Sequence, residues 1–549
     1  MRACAAAVFG VCGVLVVTTA LPSGAGRRFF GDDPIASEPE TENASGVQAW
    51  DIDLFVDLTI NLFGHPGDRE TNVRARNINT IDEVPDSSWF TNRVLARPLS
   101  AAELARGPST GNGPAPGQWT VTAPKTSGFA PGFTMRDSRG DMWFVSFDAA
   151  GYPEAATGAI LVANRIFWAL GYWQVENYLV SVRPDDIVVA DTAVFTPASG
   201  KKRPMTHDDL DGVFRRSHRT ATGYRAVAAR ALPGRIVGGF RYYGTRPDDP
   251  NDIVPHEHRR ELRALKVFGA WTNLVDLKAG NTLDTVVTEN GRGIVRHYLQ
   301  DVGSTFGTGA NGPREWDEGW EYLYEGDLAL KRLTRMGFVF EPWQTVRYAD
   351  NAAIGRFEGR VFDPVTWKPR VATAAFVHAR ADDNFWAARR VAAFTDDMIR
   401  TVVKAGSYSD PAAEALLTDV LIERRNKIAA SYLPAINPLV DFALTPEGRF
   451  TFRNTAVDAG VAAMPTDGYR ATWSRFDNAT EDTVAFGPPT TTRGTDMSAP
   501  VPLPTAPGAF VRIDVAAAGP APEAWSAPVR VYFERRGSGW TLVGVERLP

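Results

Sequence analysis

The pattern of apolar and polar positions changes character several times along the 549 residues. Between 118 and 200 it alternates. Trp119-Thr-Val-Thr, Phe133-Thr-Met-Arg and Met142-Trp-Phe-Val-Ser-Phe147 are short runs, set apart by turns around Gly128, Gly132 and Ser138-Arg-Gly-Asp141. Alternation predicts strands, because successive side chains on a strand face opposite sides. From Pro153 to Leu170 the apolar spacing becomes three and four residues, which predicts a helix broken at Gly171. Tyr178-Leu-Val-Ser-Val182 and Ile187-Val-Val-Ala190 are again strands.

Residues 201–440 are expected to be mostly helical. A basic, irregular segment (Lys201-Lys-Arg203, Arg215-Arg216, His218-Arg219) is read as a solvated face. A helix then starts near His256, with Leu262, Leu265, Val267 and Phe268 towards a core and Arg259, Arg260 and Arg263 towards water. Gly293–Gln300 is a strand. Helical spacing returns at Asp327–Leu333, Asn384–Thr395, Met398–Val403 and Pro411–Tyr432, the last capped by Asp410. The aromatic stretches 316–324 and 338–343 are read as core packing. From about 441 to 549 the alternation resumes between Pro/Gly-rich turns, and a β-sandwich-like domain of roughly 100 residues is expected there.

The first part of the chain is less regular. Asp51–Phe63 has helical spacing, and Asn77–Arg93 is an Asx- and Ser-rich loop that Trp89 and Phe90 are expected to pack down. Gly107–Gly117 reads as a linker, which makes 21–117 an extension ahead of the 118–200 unit.

Composition adds two things. Lys and Arg number 59 against 64 Asp and Glu, for a net charge of −5, so nothing points to nucleic acid or to a polybasic membrane surface. Both cysteines, Cys4 and Cys12, fall in the first 20 residues, which combine Arg2, the apolar run Ala5–Val17 and the small residues Thr18-Thr19-Ala20. Residues 1–20 therefore read as a secretory signal peptide, with an uncleaved anchor as the alternative. The mature chain would then carry no disulfide, thiolate metal site or thiol nucleophile, and would be periplasmic or secreted.

The chemistry concentrates at Trp271-Thr-Asn-Leu-Val-Asp276-Leu-Lys278-Ala-Gly-Asn281-Thr-Leu and, after a strand, at Asp301-Val-Gly303. This pair of segments resembles the catalytic core of protein kinases, where an Asp-Leu-Lys-x-x-Asn loop is followed by a strand ending in Asp-x-Gly. The resemblance covers about 120–435. It implies a two-lobed α+β fold, with a β-rich small lobe at 118–200 and a helical large lobe at 201–440. It also implies Asp276 as base, Lys278 as phosphate contact, and Asn281 and Asp301 as ligands of Mg or Mn carrying ATP. The chain departs from the pattern at three places. Ser146 stands where the third-strand Lys belongs, the following helix has Glu154 only at its first turn, and Leu274 replaces a His common two residues before the catalytic Asp. Lys125, beside the turn that carries Gly128 and Gly132, is the candidate replacement for the missing lysine, and those glycines are the candidate phosphate-loop positions.

The cluster Asp248–Glu261 is rich in potential ligands, but its histidines, His256 and His258, are two apart and fit no His-Glu-x-x-His motif. It is read as a turn followed by a helix, and His297 as a packed strand residue. Three functions follow in order: an exported kinase-like protein, either degenerate or an ATP-dependent phosphotransferase or nucleotidyltransferase; a non-catalytic cell-envelope scaffold that binds a protein or glycan through its C-terminal β domain; and a hydrolase, for which no complete zinc motif is present.

Overall fold

The computed structural model describes residues 26–125, 130–197, 200–338 and 340–547. The expected signal peptide, with Cys4 and Cys12, lies outside these residues, as does Gly128. The chain is mixed α+β. Its alternating segments pair into one sheet of β1 (Trp119–Pro124), β2 (Gly132–Arg136), β3 (Met142–Phe147), β4 (Asn177–Val182), β5 (Ile187–Val189) and β6 (Gly223–Arg230), in the spatial order β4-β6-β3-β2-β1-β5. Only the β1–β5 pair among these is parallel. The sheet thus reaches past residue 200, since β6 fills the place between β3 and β4. The segment Tyr224-Arg-Ala-Val-Ala-Ala-Arg is alanine-rich and has weak intrinsic strand preference, which is why its alternation is hard to see in sequence.

The helix α1 (Ala155–Leu170) crosses between β3 and β4. Ala159, Val162, Ala163, Ile166, Phe167 and Leu170 form its buried stripe. Its start is held by Asp148, whose carboxylate accepts from the Thr157 N–H and hydroxyl, both at 2.8 Å. It stops at Gly171, whose φ of +130° and whose contact with Phe90 leave no room for a side chain: a Cβ there would sit 2.2 Å from the ring.

The helical part follows, with α2 (Leu265–Thr272), α3 (Gly326–Thr334), α4 (Ala381–Ala392), α5 (Asp396–Lys404) and α6 (Pro411–Tyr432). Ahead of α2 lies β7 (Arg235–Gly238), which joins the hairpin of β8 (Leu283–Glu289) and β9 (Arg292–Tyr298) in a three-stranded sheet. The hairpin turns on Asn290-Gly291, both at positive φ, as a tight two-residue turn requires.

Residues 26–100 wrap the rest as an arm. Phe29 packs on Phe476, Phe510 and Tyr532, Trp50 bridges to Gly238, and Trp89 stacks on His297 with ring centroids 3.5 Å apart. Trp89 and Phe90 are buried as expected, and His297 is a packed residue held by Asp284. The segment 107–117 is also tied down: the Gly111 N–H donates to the Tyr178 hydroxyl and the Ala115 N–H to Asp137.

Two expectations are corrected. Arg259, Arg260 and Arg263 face the interior rather than water and are at most 1% exposed. Arg260 contacts Asp82, Asp382 and Asp383 at 2.9–3.0 Å, Arg263 meets Asp383 at 3.0 Å, and Arg259 lies over the Trp89 ring. Charged side chains are buried only when paired, and these partners come from the arm and from α4, too far away in sequence for local periodicity to register. Second, Phe338 and Phe340 are not core residues. They are 80% and 89% exposed, next to Leu330, Leu333 and Met336 of the α3 region, which are also exposed.

At the C-terminal end, Leu439–Leu444, Arg449–Asn454 and Asp496–Ser498 form one sheet, and the other strands between Tyr469 and Arg547 form a second. Phe450, Trp473, Val511, Ile513, Val531 and Phe533 build a core shared by both. This unit is stitched to the rest: Arg547 pairs with Asp82 at 3.1 Å, and the Val545 N–H donates to the Thr80 carbonyl. Among the described residues no helix is long and apolar enough to cross a membrane.

Candidate functional site

The loop after α2 owes its shape to Asn273. This residue ends the helix in the left-handed region (φ 55°, ψ 42°), which Asn tolerates better than most residues. Its Oδ1 accepts from the Trp367 indole N–H at 2.8 Å, and Gly319 packs so close that a Cβ there would be 2.5 Å from that oxygen. From this anchor the chain runs extended, burying Leu274, Val275, Leu277 and Ala279 and leaving Asp276 and Lys278 on the open side. The Lys278 ammonium donates to Asp276 Oδ2 at 2.9 Å.

A short turn, Ala279–Asn281, brings the loop back. Asn281 is buried, and its amide nitrogen donates to the Asp276 carbonyl at 2.8 Å, which leaves Oδ1 as the atom able to meet a cation. The β8–β9 hairpin then returns the chain so that the Asp301 N–H donates to the Asn281 carbonyl at 3.1 Å. Asp301 Oδ1 accepts from the Gly303 N–H, and Gly303 lies under Ile160 of α1, where a Cβ would be 2.9 Å from the isoleucine. Asp276, Lys278, Asn281 and Asp301 are thereby brought to one place.

The sheet supplies Lys125 from the end of β1. Its ammonium donates to Ser146 Oγ on β3 at 3.2 Å. The stem crosses beside Gly132, where a Cβ would lie 2.3 Å from the Val145 carbonyl oxygen and 3.3 Å from Lys125 Cδ, so a residue with a side chain would close the crossing. Much of the lysine faces open space, yet the walls around its ammonium desolvate it enough to lower its pKa. The Asp301 carboxylate opposes that shift. A lysine thus reaches the serine that occupies the expected lysine position. Glu154 does not pair with it: its carboxylate accepts from the Ser409 N–H at 2.8 Å and lies 3.7 Å from Arg225.

Arg314 and Glu318 join the site without any signal in the sequence. Arg314 Nη2 is 4.0 Å from Asp276 Oδ2, and its Nε is 3.4 Å from Glu318 Oε2. Burial raises the Glu318 carboxyl pKa, with Arg314 and Arg370 pulling it down and Asp276 adding to the rise. Arg370 is 3.8 Å from Glu318, and its N–H donates to the Val275 carbonyl. The three residues are 38 to 94 positions downstream of Asp276 and follow no recognisable spacing. Tyr242 is a further neighbour. Its hydroxyl is buried without a partner, and burial, reinforced by Asp276 and Asp57, pushes its pKa well up.

Among the described residues no group of three or more His, Cys, Asp and Glu converges as a metal site. The side-chain oxygens of Asn281 and Asp301 could offer two ligands at most, a number that would suit only a cation such as magnesium that keeps most of its waters or takes other oxygens. The ligand-rich segment 248–261 holds no such set, since His256 is bonded to Asp252 and to the Arg241 carbonyl, and His258 to Asp68 and Arg263. No family model, curated protein or solved structure matches this chain.

Proposed function

We propose that this is an exported protein with a divergent kinase-like core that binds ATP with Mg or Mn in the cleft between the sheet and the Asp276 loop. The reading is carried by one observation: Lys125, just after β1, bonds to Ser146 on β3, the position where the pattern expects its lysine. A lysine migrated to a neighbouring strand could hold the nucleotide phosphates from that position while Asn281 and Asp301 hold the metal. Asp276 would take the proton from an attacking hydroxyl, and Lys278 and Arg314 would offset the charge that gathers on the transferred group. The metal would supply neutralisation of phosphate charge. The placement outside the cytoplasm rests on the signal-like pattern of residues 1–20 alone.

A second reading keeps the nucleotide but not the chemistry. Glu154 is committed to Ser409 and Arg225, and among the described residues no Lys125–Glu ion pair is formed. On that reading the protein is a pseudokinase scaffold.

Thermal denaturation with ATP and Mg or Mn separates the outcomes. A ligand that binds only the folded state stabilises by about 2.7 kcal/mol at a hundredfold excess over its dissociation constant. The shift is expected to need metal and to vanish in Asp301→Ala and Lys125→Ala. Asp276→Asn should keep the shift and lose phosphoryl transfer. No shift in the parent protein at millimolar nucleotide would remove the nucleotide from both readings.

A further inference from the structure

Two stretches of the chain leave large apolar side chains in water, and the fold sets them side by side. The first is α3 with the turn after it. Gly337, at a φ of +81°, ends the helix: its N–H donates to the Arg332 carbonyl at 2.8 Å, and the Phe338 N–H to the Arg335 carbonyl at 2.9 Å. The chain so turned presents Leu330, Leu333, Met336, Phe338 and Phe340, and the last three are each at least 80% exposed. The second stretch lies in the arm, where Leu54, Phe55, Val56 and Phe63 are exposed. Phe63 meets Tyr324, two residues ahead of α3, with ring centroids 5.1 Å apart. Leu54 packs so close to the turn after Asp276 that a Cβ on Gly280 would be 3.0 Å from it, so this apolar face borders the Asp276 loop. Monomeric proteins rarely leave a large contiguous apolar patch in water unless something binds there.

Shape and charge narrow what covers it. Side chains this exposed have few neighbours in their own chain, so they project from the surface instead of lining a groove. A protein partner would need a fitted pocket for each of them, whereas acyl chains close around any shape. Charge points the same way. Residues 326–340 carry Lys331, Arg332 and Arg335 against Asp327 alone, in a chain whose net charge is −5. Lys331 and Arg332 each hold one carboxylate, Glu341 at 3.1 Å and Glu321 at 2.7 Å, while Arg335 is exposed and pairs with no carboxylate among the described residues. The acidic groups of the arm helix Leu54–Thr59 are occupied: Asp53 caps it by accepting from the Phe55 and Val56 N–H groups, and Asp57 turns inward to Arg241. Basic and bulky apolar residues interleaved on one short helix and its turn make an element suited to a lipid interface, where long cationic side chains reach headgroups and Leu and Phe go below them. The signal-like pattern of residues 1–20 already reads as taking the chain to a membrane.

We propose that this face docks on an anionic lipid bilayer, with α3 and its turn entering the acyl boundary beside Phe55 and Phe63, and Arg335 among the headgroup phosphates. The contact is peripheral, since α3 has only nine residues. It sets the Asp276 loop next to a lipid surface, and it holds whatever chemistry that loop performs.

The test is sedimentation of the whole protein with vesicles of phosphatidylcholine alone and of phosphatidylcholine mixed with phosphatidylglycerol. Binding should be tighter on the anionic vesicles and should weaken there with added salt, which screens exposed charges. Leu333→Glu combined with Phe340→Glu should weaken it by about tenfold or more, since two apolar side chains are lost from the contact. Val484→Glu, at an exposed position of the C-terminal β unit, should leave it unchanged. A local reading comes from Met336→Cys carrying an environment-sensitive dye, in a chain with Cys4→Ser and Cys12→Ser: its emission should shift to the blue with vesicles, which a retained leader by itself would not cause. Every substituted residue among these that the structure describes is exposed, apart from none in a core, so melting temperatures should match the parent. The proposal is overturned by no sedimentation with either vesicle, by equal binding to the two, by a dye that does not respond, or by binding indifferent to the double variant. It is also overturned if the parent is a dimer in solution that the double variant splits, because a second copy then covers the face.

Discussion

Asp82 shows how much one side chain can carry when its partners arrive from three directions. It meets Arg74 at 2.8 Å, Arg260 at 2.9 Å and Arg547 at 3.1 Å, tying the arm to the helical part and to the last strand. Burial alone would raise its pKa, but Arg260, Arg547 and Arg74 together hold it down at about 2, and Arg389 and Arg390 do the same for Glu83. For a carboxyl whose folded pKa lies below its unfolded value, the stabilisation is complete above the unfolded pKa and is lost as pH falls through the folded one. Asp82 should therefore contribute about 2 kcal/mol near neutrality, lost between roughly pH 4 and pH 2. Urea titrations across that window should show it, and the slope should shrink in Asp82→Asn. Asp82→Ala at neutral pH is expected to cost about 3–5 kcal/mol, because it leaves buried guanidinium groups without their counter-charge. A loss below about 1 kcal/mol would mean that the arginines find other partners.

At the scale of elements, the contrast between α1 and α3 is instructive. In α1 the apolar spacing and the burial agree, and Gly171 ends the helix where the sequence places the break. The α3 region has similar spacing but leaves Leu330, Leu333, Met336, Phe338 and Phe340 in water. Periodicity says that a helix has an apolar face; it does not say that anything covers it. Leu333→Glu and Phe340→Glu should accordingly change unfolding free energy by no more than about 0.5 kcal/mol, the range for surface substitutions. The same pair should lower binding of a hydrophobic dye and any self-association seen by sedimentation. A large loss of stability would place these residues in a core after all.

On the scale of the whole molecule, the C-terminal β unit is fastened rather than appended. Arg547 donates to the Asn437 and Leu439 carbonyls at 2.8 Å as well as pairing with Asp82, and Phe29 at the other end of the chain lies in an aromatic cluster of the same unit. Arg547→Ala is expected to destabilise the protein by about 3 kcal/mol or more in urea denaturation, the cost of breaking a buried pair. Removing residues 445–549 should lower the melting temperature of what remains. A partner lost with that deletion would not by itself assign the partner to the β unit; point substitutions on its exposed strands would.

The amino-acid sequence by itself determined what depends on near neighbours: the alternation of β1 to β3, the spacing and end of α1, the burial of Trp89 and Phe90, and the grouping of Asp276, Lys278 and Asn281 within six residues. Such features rest on backbone periodicity and short loops, whose geometry is set locally. Only the tertiary structure decided that Lys125 reaches Ser146, that Arg259, Arg260 and Arg263 turn inward, and that Arg314 and Glu318 stand beside Asp276. Each of these is a meeting of polar groups far apart in the chain. The stability of a charge inside a protein depends on which opposite charge the fold brings to it, and no local pattern encodes that.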